Sequence, residues 1–136
     1  MARLLIVDDD PAIRAMFVRT LRSLGEIEEA GGGQDAVRLL YAREFDVVLL
    51  DLHMPTTDGF AVLETLAGKP GPNRETPVFV ITADMSDEAR IRALRRHAVF
   101  LLTKPVNLGS LLSFVSSSLQ KRASKTPIPP PRGKRD

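Results

Sequence analysis

Short apolar runs alternate with segments of helical periodicity along most of the chain. Three runs are continuously apolar, at residues 4–7, 47–50 and 78–81, and two shorter or more polar runs lie at residues 26–29 and 100–102. A continuous apolar run is typical of a strand buried on both faces of a parallel sheet. The acidic run at 26–29 instead indicates an edge strand. The pattern therefore predicts five strands, three of them central and fully buried.

Between these runs, apolar residues recur every three to four positions, which predicts five helices. The first begins at Pro11 behind the N-cap residue Asp10 and ends at Gly25. The second, near residues 35–43, is expected to turn Ala36, Val37, Leu40 and Tyr41 inward. The third helix is expected to begin near Asp58 and to end at the glycine- and proline-rich loop 68–73. The fourth is expected to begin at Ser86 and the fifth at Asn107. Strict alternation of strands and helices predicts an α/β fold with helices on both faces of the sheet.

Charge is distributed unevenly along the 136 residues. The formal net charge is +2, but residues 121–136 carry six basic residues and one acidic residue, which leaves 13 basic and 16 acidic residues in the body. The end of the chain is also rich in proline and cannot bury apolar surface. We therefore expect one folded domain at residues 1–122 and a disordered, basic, proline-rich tail at residues 123–136. The tail could attract a polyanion, but nothing in it would read bases, so nucleic acid is not an expected partner.

Composition excludes several classes of function. The chain has no cysteine, so disulfides, thiolate metal sites and cysteine nucleophiles are excluded. Its 43% apolar and 26% charged residues are typical of a soluble globular domain. No apolar run approaches the roughly 20 residues of a membrane-spanning helix, and no secretory signal is apparent. We expect a cytoplasmic protein with no membrane partner.

Polar side chains lie within two residues after the ends of four of the predicted strands. Asp8 and Asp9 follow the first strand, Asp51 the third, Thr82 the fourth and Lys104 the last. In an open parallel sheet, the loops at the carboxyl ends of the strands form the binding crevice, so these side chains should converge. A set of oxygen-only ligands suits Mg²⁺ better than zinc. One carboxylate could then accept a phosphoryl group as a nucleophile, with the hydroxyl and the ammonium binding phosphoryl oxygens.

Four motifs resemble those of response-regulator receiver domains from two-component signalling: VDDD at 7–10, LLDLHMPTTDGF at 49–60, VITA at 80–83 and TKP at 103–105. The resemblance extends from residue 3 to about residue 120. It implies a flavodoxin-like, doubly wound (βα)5 fold with strand order 2-1-3-4-5. It also implies a phosphoryl-accepting switch rather than an enzyme.

The resemblance implies a role for each site residue. Asp51 would be the phosphoryl acceptor, with Thr82 as the switch hydroxyl and Lys104 contacting the phosphoryl group. Mg²⁺ would be the cofactor. Its expected ligands are Asp8, Asp9, Asp51 and the backbone carbonyl of His53, with Asp9 a more direct ligand than Asp8. Four further positions would modulate the switch. His53 and Asp84 would affect the rate of dephosphorylation. Leu101 stands where relatives often have an aromatic residue, and Pro105 would follow a cis peptide bond.

The same resemblance implies the partners. A histidine kinase or phosphotransfer protein would donate the phosphoryl group, and a downstream protein would bind the face formed by the fourth helix, the last strand and the fifth helix. A homodimer through this face is an alternative. The chain could be a single-domain regulator, a fragment of a longer regulator, or the receiver module of a hybrid kinase or phosphorelay. A haloacid-dehalogenase-type phosphatase is disfavoured because His53 stands where that family needs a second aspartate.

Overall fold

A computed structural model describes residues 1–54, 59–68, 71–83, 86 and 99–125. Five strands form one parallel sheet in the order β2-β1-β3-β4-β5. The strands are β1 (Ala2–Val7), β2 (Gly25–Ala30), β3 (Val47–Asp51), β4 (Val78–Thr82) and β5 (Val99–Thr103). The described α-helices are α1 (Pro11–Leu21), α2 (Gly33–Ala42), α3 (Gly59–Gly68) and α4 (Leu108–Lys125). This sheet confirms the predicted flavodoxin-like strand order.

The strands of the sheet centre are buried on both faces. Alternate side chains of each strand point to opposite sides; Leu5, Val48 and Val80 pack in the cluster that includes α2 and α3 residues. Their neighbours Leu4 and Leu49 pack in the second cluster, which includes residues of α1 and α4. The continuously apolar runs of the sequence are therefore explained by two separate hydrophobic cores. The acidic β2 lies at the sheet edge, as predicted.

Helix α1 begins as predicted but ends earlier. One Asp10 carboxylate oxygen accepts hydrogen bonds from the backbone amides of Ala12 (2.9 Å) and Ile13 (3.3 Å), which caps the helix. The helix ends at Leu21 and is followed by a 3-10 turn at Arg22–Leu24. Gly25 was expected to end the helix but is the first residue of β2. A Cβ there would collide with the carbonyl oxygen of Ala2, so glycine is needed for the close approach of β1 and β2.

Helix α2 differs from the prediction in two ways. It begins at Gly33, two residues before the predicted start, and it ends at Ala42. Tyr41, which was expected to point inward, is 44% exposed. The buried stripe of the helix runs through Gly33, Ala36 and Leu40, and Tyr41 lies about 100° around the helix from Leu40. Its ring therefore lies at the rim of the core.

The last helix extends beyond the predicted domain boundary. It is the fifth helix of the sequence prediction, and Asn107 caps it by accepting a hydrogen bond from the amide of Ser110 (2.9 Å). The helix continues to Lys125, three residues past residue 122, whereas residues 126–136 of the expected tail lie outside the described residues. The predicted fourth helix from Ser86 falls almost entirely on residues 87–98, which also lie outside them.

The sheet edge formed by the amino-terminal ends of β3 and β4 contains a buried polar network that the sequence did not reveal. The buried side chain of Asn73 accepts a hydrogen bond from the amide of Phe45 (2.7 Å) and donates to the carbonyl oxygens of Leu40 (2.6 Å) and Arg43 (2.7 Å). The hydroxyl of Thr76 lies 2.9 Å from the Phe45 carbonyl oxygen. These bonds fix the loop before β4 against the end of α2, at the edge opposite the carboxyl ends of the strands.

Candidate functional site

The strand register brings the predicted site residues to one edge of the sheet. Asp51 is the last residue of β3, and Thr82 ends β4 one position beyond the partner of Asp51, Ile81. The amide of Lys104, directly after β5, donates to the Thr82 carbonyl oxygen (2.9 Å). The amide of Asp8, directly after β1, donates to the carbonyl oxygen of Ala30 at the end of β2 (3.1 Å). All four therefore occupy the carboxyl edge of the sheet.

Among the described residues, three carboxylates meet at this edge. Asp8, Asp9 and Asp51 each offer one oxygen atom, and these atoms all lie within 4.8 Å of one another. The residues Asp8 and Asp51 are buried, whereas Asp9 is exposed. The Lys104 Nζ atom lies 3.5 Å from Asp51 Oδ2, and Thr82 is buried at the end of the neighbouring strand. The convergence expected from the sequence is thus present in the fold.

Backbone amides fix one oxygen of each buried carboxylate. Asp8 Oδ1 accepts a hydrogen bond from the amide of Asp10 (2.9 Å). Asp51 Oδ1 accepts one from the amide of His53 (3.2 Å). Each bond spans two residues, so the loop after the strand orients the carboxylate that precedes it. In Asp51 this leaves Oδ2 as the oxygen that faces Lys104.

Burial raises the pKa of both Asp8 and Asp51 above the ordinary value for an aspartate. The hydrogen bonds from Asp10 and His53, followed by the charge of Lys104, lower these pKa values and oppose the effect of burial. Repulsion among the carboxylates raises them further. One nearby lysine therefore does not fully compensate the ionised cluster, and a further cation would favour it.

The donor set fits Mg²⁺. All three side chains offer oxygen, which is the ligand type that Mg²⁺ takes in proteins. Oxygens that lie within 4.8 Å of one another could converge on one ion through side-chain movements of about an ångström, since adjacent ligands of an octahedral Mg²⁺ lie about 3.0 Å apart. Asp8, Asp9 and Asp51 could hold such an ion together with water or phosphoryl oxygens.

Three of the four predicted modulating positions lie among the described residues. His53 is exposed beside Asp51, and the role of its carbonyl as a metal ligand stays a prediction. Leu101 is partly buried and packs against the core that includes α2 and α3 residues. The peptide bond between Lys104 and Pro105 is cis, as expected. Asp84 lies outside the described residues.

Two features of the site were not anticipated from the sequence. Arg14 Nη1 donates to the carbonyl oxygen of Asp8 (2.6 Å), and its Nε donates to Glu29 (2.9 Å). A Cβ on Gly59 would lie 2.8 Å from the Asp51 carbonyl oxygen and from the Cα of Leu52, so α3 can begin close to β3 only with glycine there. Both contacts depend on which elements become neighbours, and local sequence patterns carry no signal for that.

Comparisons with known proteins identify a family to which this chain is similar. A family model described as the response regulator receiver domain matches residues 4–116. The chain is 34% identical over 123 residues to the transcriptional regulatory protein PrrA of Mycobacterium tuberculosis, covering 90% of this chain and 52% of PrrA. It is 35% identical over 128 residues to the response regulator protein PilR of Pseudomonas aeruginosa, covering 91% of this chain and 28% of PilR. The chain thus spans about half the length, or less, of these relatives.

The chain is also similar to solved structures of receiver-domain proteins. The chemotaxis protein CheY4 of Vibrio cholerae is 31% identical with a TM-score of 0.78, covering 87% of this chain and 98% of that structure. A CheY-like receiver domain protein from Methanospirillum hungatei is 25% identical with a TM-score of 0.82, covering 91% of this chain and 98% of that one. Among the described residues, no helix is long and apolar enough to cross a membrane.

Proposed function

Because the chain belongs to the response regulator receiver domain family, we propose that it accepts a phosphoryl group on Asp51 from a histidine kinase or a phosphotransfer protein. The observation that carries this assignment is the placement of Asp51. Asp51 is buried, and its Oδ2 lies 3.5 Å from the Lys104 ammonium. Its Oδ1 accepts a hydrogen bond from the amide of His53. Asp8 and Asp9 then serve as the acidic pair that holds the metal.

In the proposed reaction, an oxygen of Asp51 attacks the phosphorus atom of a phosphohistidine. The new P–O bond forms as the P–N bond breaks, and the histidine takes up a proton from solvent. Lys104 and Thr82 receive oxygens of the phosphoryl group through an ammonium and a hydroxyl, in the positioning and electrostatic manner of phosphoryl transfer. When bound at the three carboxylates, Mg²⁺ supplies the charge that offsets their repulsion and that of the incoming phosphoryl group.

Phosphorylation would change the sheet edge through Thr82 and Lys104. The modification adds about −1.5 to −2 charge and strong hydrogen-bond acceptors. Thr82 ends β4 and Lys104 follows β5, which pairs with β4 in register. Movement of these two residues toward the phosphoryl group would therefore reshape β5 and the helices beside it. We propose that a downstream protein binds this face, and that Leu101 takes part through packing rather than through an aromatic switch.

The wider role is proposed from the family. Its members are phosphoryl-accepting signalling switches, and we propose that this chain has no further enzymatic activity. It would act as a single-domain regulator, as part of a longer regulator, or as a receiver module in a hybrid kinase or phosphorelay. A cytoplasmic location follows from the proposed donor, because histidine kinases use ATP. The comparisons give no support to the phosphatase alternative.

Incubation with acetyl phosphate, with and without Mg²⁺, tests the proposal when the intact mass is measured. The wild type should gain one phosphoryl mass only when Mg²⁺ is present, and Asp51→Asn should gain none. Asp10→Asn is the matched control, because Asp10 lies beside the acidic pair but caps α1. If the wild type gains no mass and also fails to bind a beryllofluoride phosphoryl mimic, which excludes rapid hydrolysis, the proposal is wrong.

A further inference from the structure

We propose that Arg14 is a positioning residue that orients the Asp8–Asp9 pair for Mg²⁺ binding; the inference rests on the proposed metal site. Arg14 Nη1 donates to the carbonyl oxygen of Asp8 at 2.6 Å. Its Nε donates to Glu29 Oε1 at 2.9 Å. The Arg14 side chain is 20% exposed; its bond to the Asp8 carbonyl is partly buried, whereas its bond to Glu29 lies at the surface. Arg14 thus connects the loop between β1 and α1 to the end of β2.

The contact with the Asp8 carbonyl fixes the backbone that leads into Asp9. The carbonyl of Asp8, the amide of Asp9 and the Asp9 Cα atom lie in one rigid peptide plane. A hydrogen bond that holds the carbonyl direction therefore also sets the plane from which the Asp9 side chain departs. This matters most for Asp9, because Asp9 is exposed, whereas Asp8 is buried and has its amide and carboxylate hydrogen-bonded.

Two neighbours hold the guanidinium in this position. Glu29 lies next to the end of β2, pairs with Ile6 in the β1–β2 register, and accepts the second hydrogen bond of Arg14. A Cβ on Gly31 would lie 3.4 Å from Arg14 Nη1, in van der Waals contact, so the guanidinium lies close beside the backbone at Gly31. Because Glu29 compensates the charge of Arg14, we expect the guanidinium to act by orienting the peptide rather than by adding positive charge to the site.

The Mg²⁺ dissociation constant of the full chain, measured by titration calorimetry without a phosphoryl donor, tests the proposal. Arg14→Met should raise this constant by about 10-fold or more, which is the usual effect of removing a residue that orients metal ligands. Glu29→Gln should change it in the same direction by a smaller factor, because Arg14 keeps its bond to Asp8.

The chain offers a matched control. Arg43 follows the last residue of α2, and its Nη1 forms an ion pair at 2.8 Å with Oε2 of Glu28, the neighbour of Glu29 on β2. Arg43→Met removes the same charge and the same kind of pair. It should leave the Mg²⁺ dissociation constant within about twofold, because an exposed charge away from the site is screened by salt.

A second readout needs no metal. In the metal-free protein, Arg14→Met should shift the amide resonances of Asp9 and Asp10, and Arg43→Met should leave them unchanged.

If Arg14→Met does not fold, Arg14→Lys replaces it. The lysine keeps the charge, but one ammonium does not reproduce the fork that binds Asp8 and Glu29 together. This variant should therefore also bind Mg²⁺ more weakly.

The proposal is overturned if Arg14→Met, or Arg14→Lys in its place, binds Mg²⁺ as tightly as the wild type. It is also overturned if Arg14→Met and Arg43→Met weaken binding equally, because the effect would then be one of general charge. A wild type that binds no Mg²⁺ would refute the metal site and this inference together. A wild type that binds Mg²⁺ and is phosphorylated, alongside an Arg14 variant of unchanged Mg²⁺ affinity, would refute only the inference.

Discussion

Replacing Asp51 by asparagine should stabilise the metal-free fold at neutral pH. The Asp51 carboxylate is 5% exposed and lies within 4.8 Å of carboxylate oxygens of Asp8 and Asp9. Asparagine has nearly the same shape, and its side-chain oxygen can still accept the hydrogen bond from the amide of His53. The substitution therefore removes the charge and the ion pair with Lys104 but keeps the hydrogen bond that orients residue 51.

The size of the effect depends on which terms cancel. With an effective dielectric constant of about 20, repulsion between two carboxylates at 4.8 Å is about 3.5 kcal/mol, and attraction between Asp51 and Lys104 at 3.5 Å is about 4.7 kcal/mol. Lys104 and Asp9 are more exposed than Asp51, so solvent weakens both of their contributions. Asp51 is repelled by two carboxylates and attracted by one ammonium, so the charge terms leave a small net repulsion that adds to the cost of burial. A buried ion costs several kcal/mol and a partly bonded buried amide about 1–3 kcal/mol, so we expect a gain of about 1–2 kcal/mol.

The pH dependence follows from the raised pKa of Asp51. Below the ordinary aspartate pKa, the carboxyl group is protonated in both the folded and the unfolded chain, so the charge of Asp51 contributes no difference between the variant and the wild type. As the pH rises, the unfolded chain ionises first and the wild-type fold loses stability until the raised pKa has been passed. The advantage of Asp51→Asn should therefore be smaller at pH 4.5 than at pH 7.5.

Urea denaturation in the presence of a chelator measures the free energy of unfolding of the wild type and of Asp51→Asn at pH 4.5 and pH 7.5. Adding Mg²⁺ at ten times its dissociation constant should stabilise the wild type by about 1.4 kcal/mol. The variant should gain less, so the difference between the two proteins should shrink or reverse. A metal-free Asp51→Asn that is less stable than the wild type at pH 7.5 would refute the account of the cluster as a charged, destabilising site.

Two further predictions concern the opposite ends of the sheet. Lys104→Met should slow phosphorylation by acetyl phosphate about 10²-fold, because it removes a positioned donor from the phosphoryl oxygens; an unchanged rate of mass gain would exclude that role. Asn73→Ala should destabilise the fold by about 3 kcal/mol or more in urea, because it leaves the buried amide of Phe45 and two carbonyl groups without their partner. Its Mg²⁺ affinity should be unchanged, since Asn73 lies at the other edge of the sheet.

The sheet and the acidic cluster could be predicted because strong local signals specify them. Continuous apolar runs identified the buried strands, and the carboxyl ends of parallel strands must meet at one edge. Asp8, Asp51 and Lys104 therefore came together without any knowledge of packing distances. The cap of α1 by Asp10 was equally local, since its bonds reach only two and three residues along the chain.

The misplaced features depend on contacts between distant segments. Gly25 has the appearance of a helix-ending glycine, but its lack of a Cβ is required by the neighbouring strand β1. Three side-chain hydrogen bonds of Asn73 join residues 28 to 33 positions apart, and those of Arg14 reach Asp8 and Glu29 from a helix face. Tyr41 was expected to be buried because it lies next to Leu40, but the neighbouring elements determine how far around α2 the buried face extends. Periodicity gives the direction of such a face but not its limits.

Locating the modified residue tests whether Asp51 receives the phosphoryl group. After acetyl phosphate treatment with Mg²⁺, borohydride reduction converts the acyl phosphate into a stable product that tandem mass spectrometry can assign within tryptic peptides. Cleavage after Arg3, Arg14, Arg43 and Arg74 separates Asp8 and Asp9 from Asp51. We predict that the reduced residue is at position 51 in the peptide 44–74. A reduced residue in the peptide 4–14, or at another aspartate of 44–74, would contradict the account.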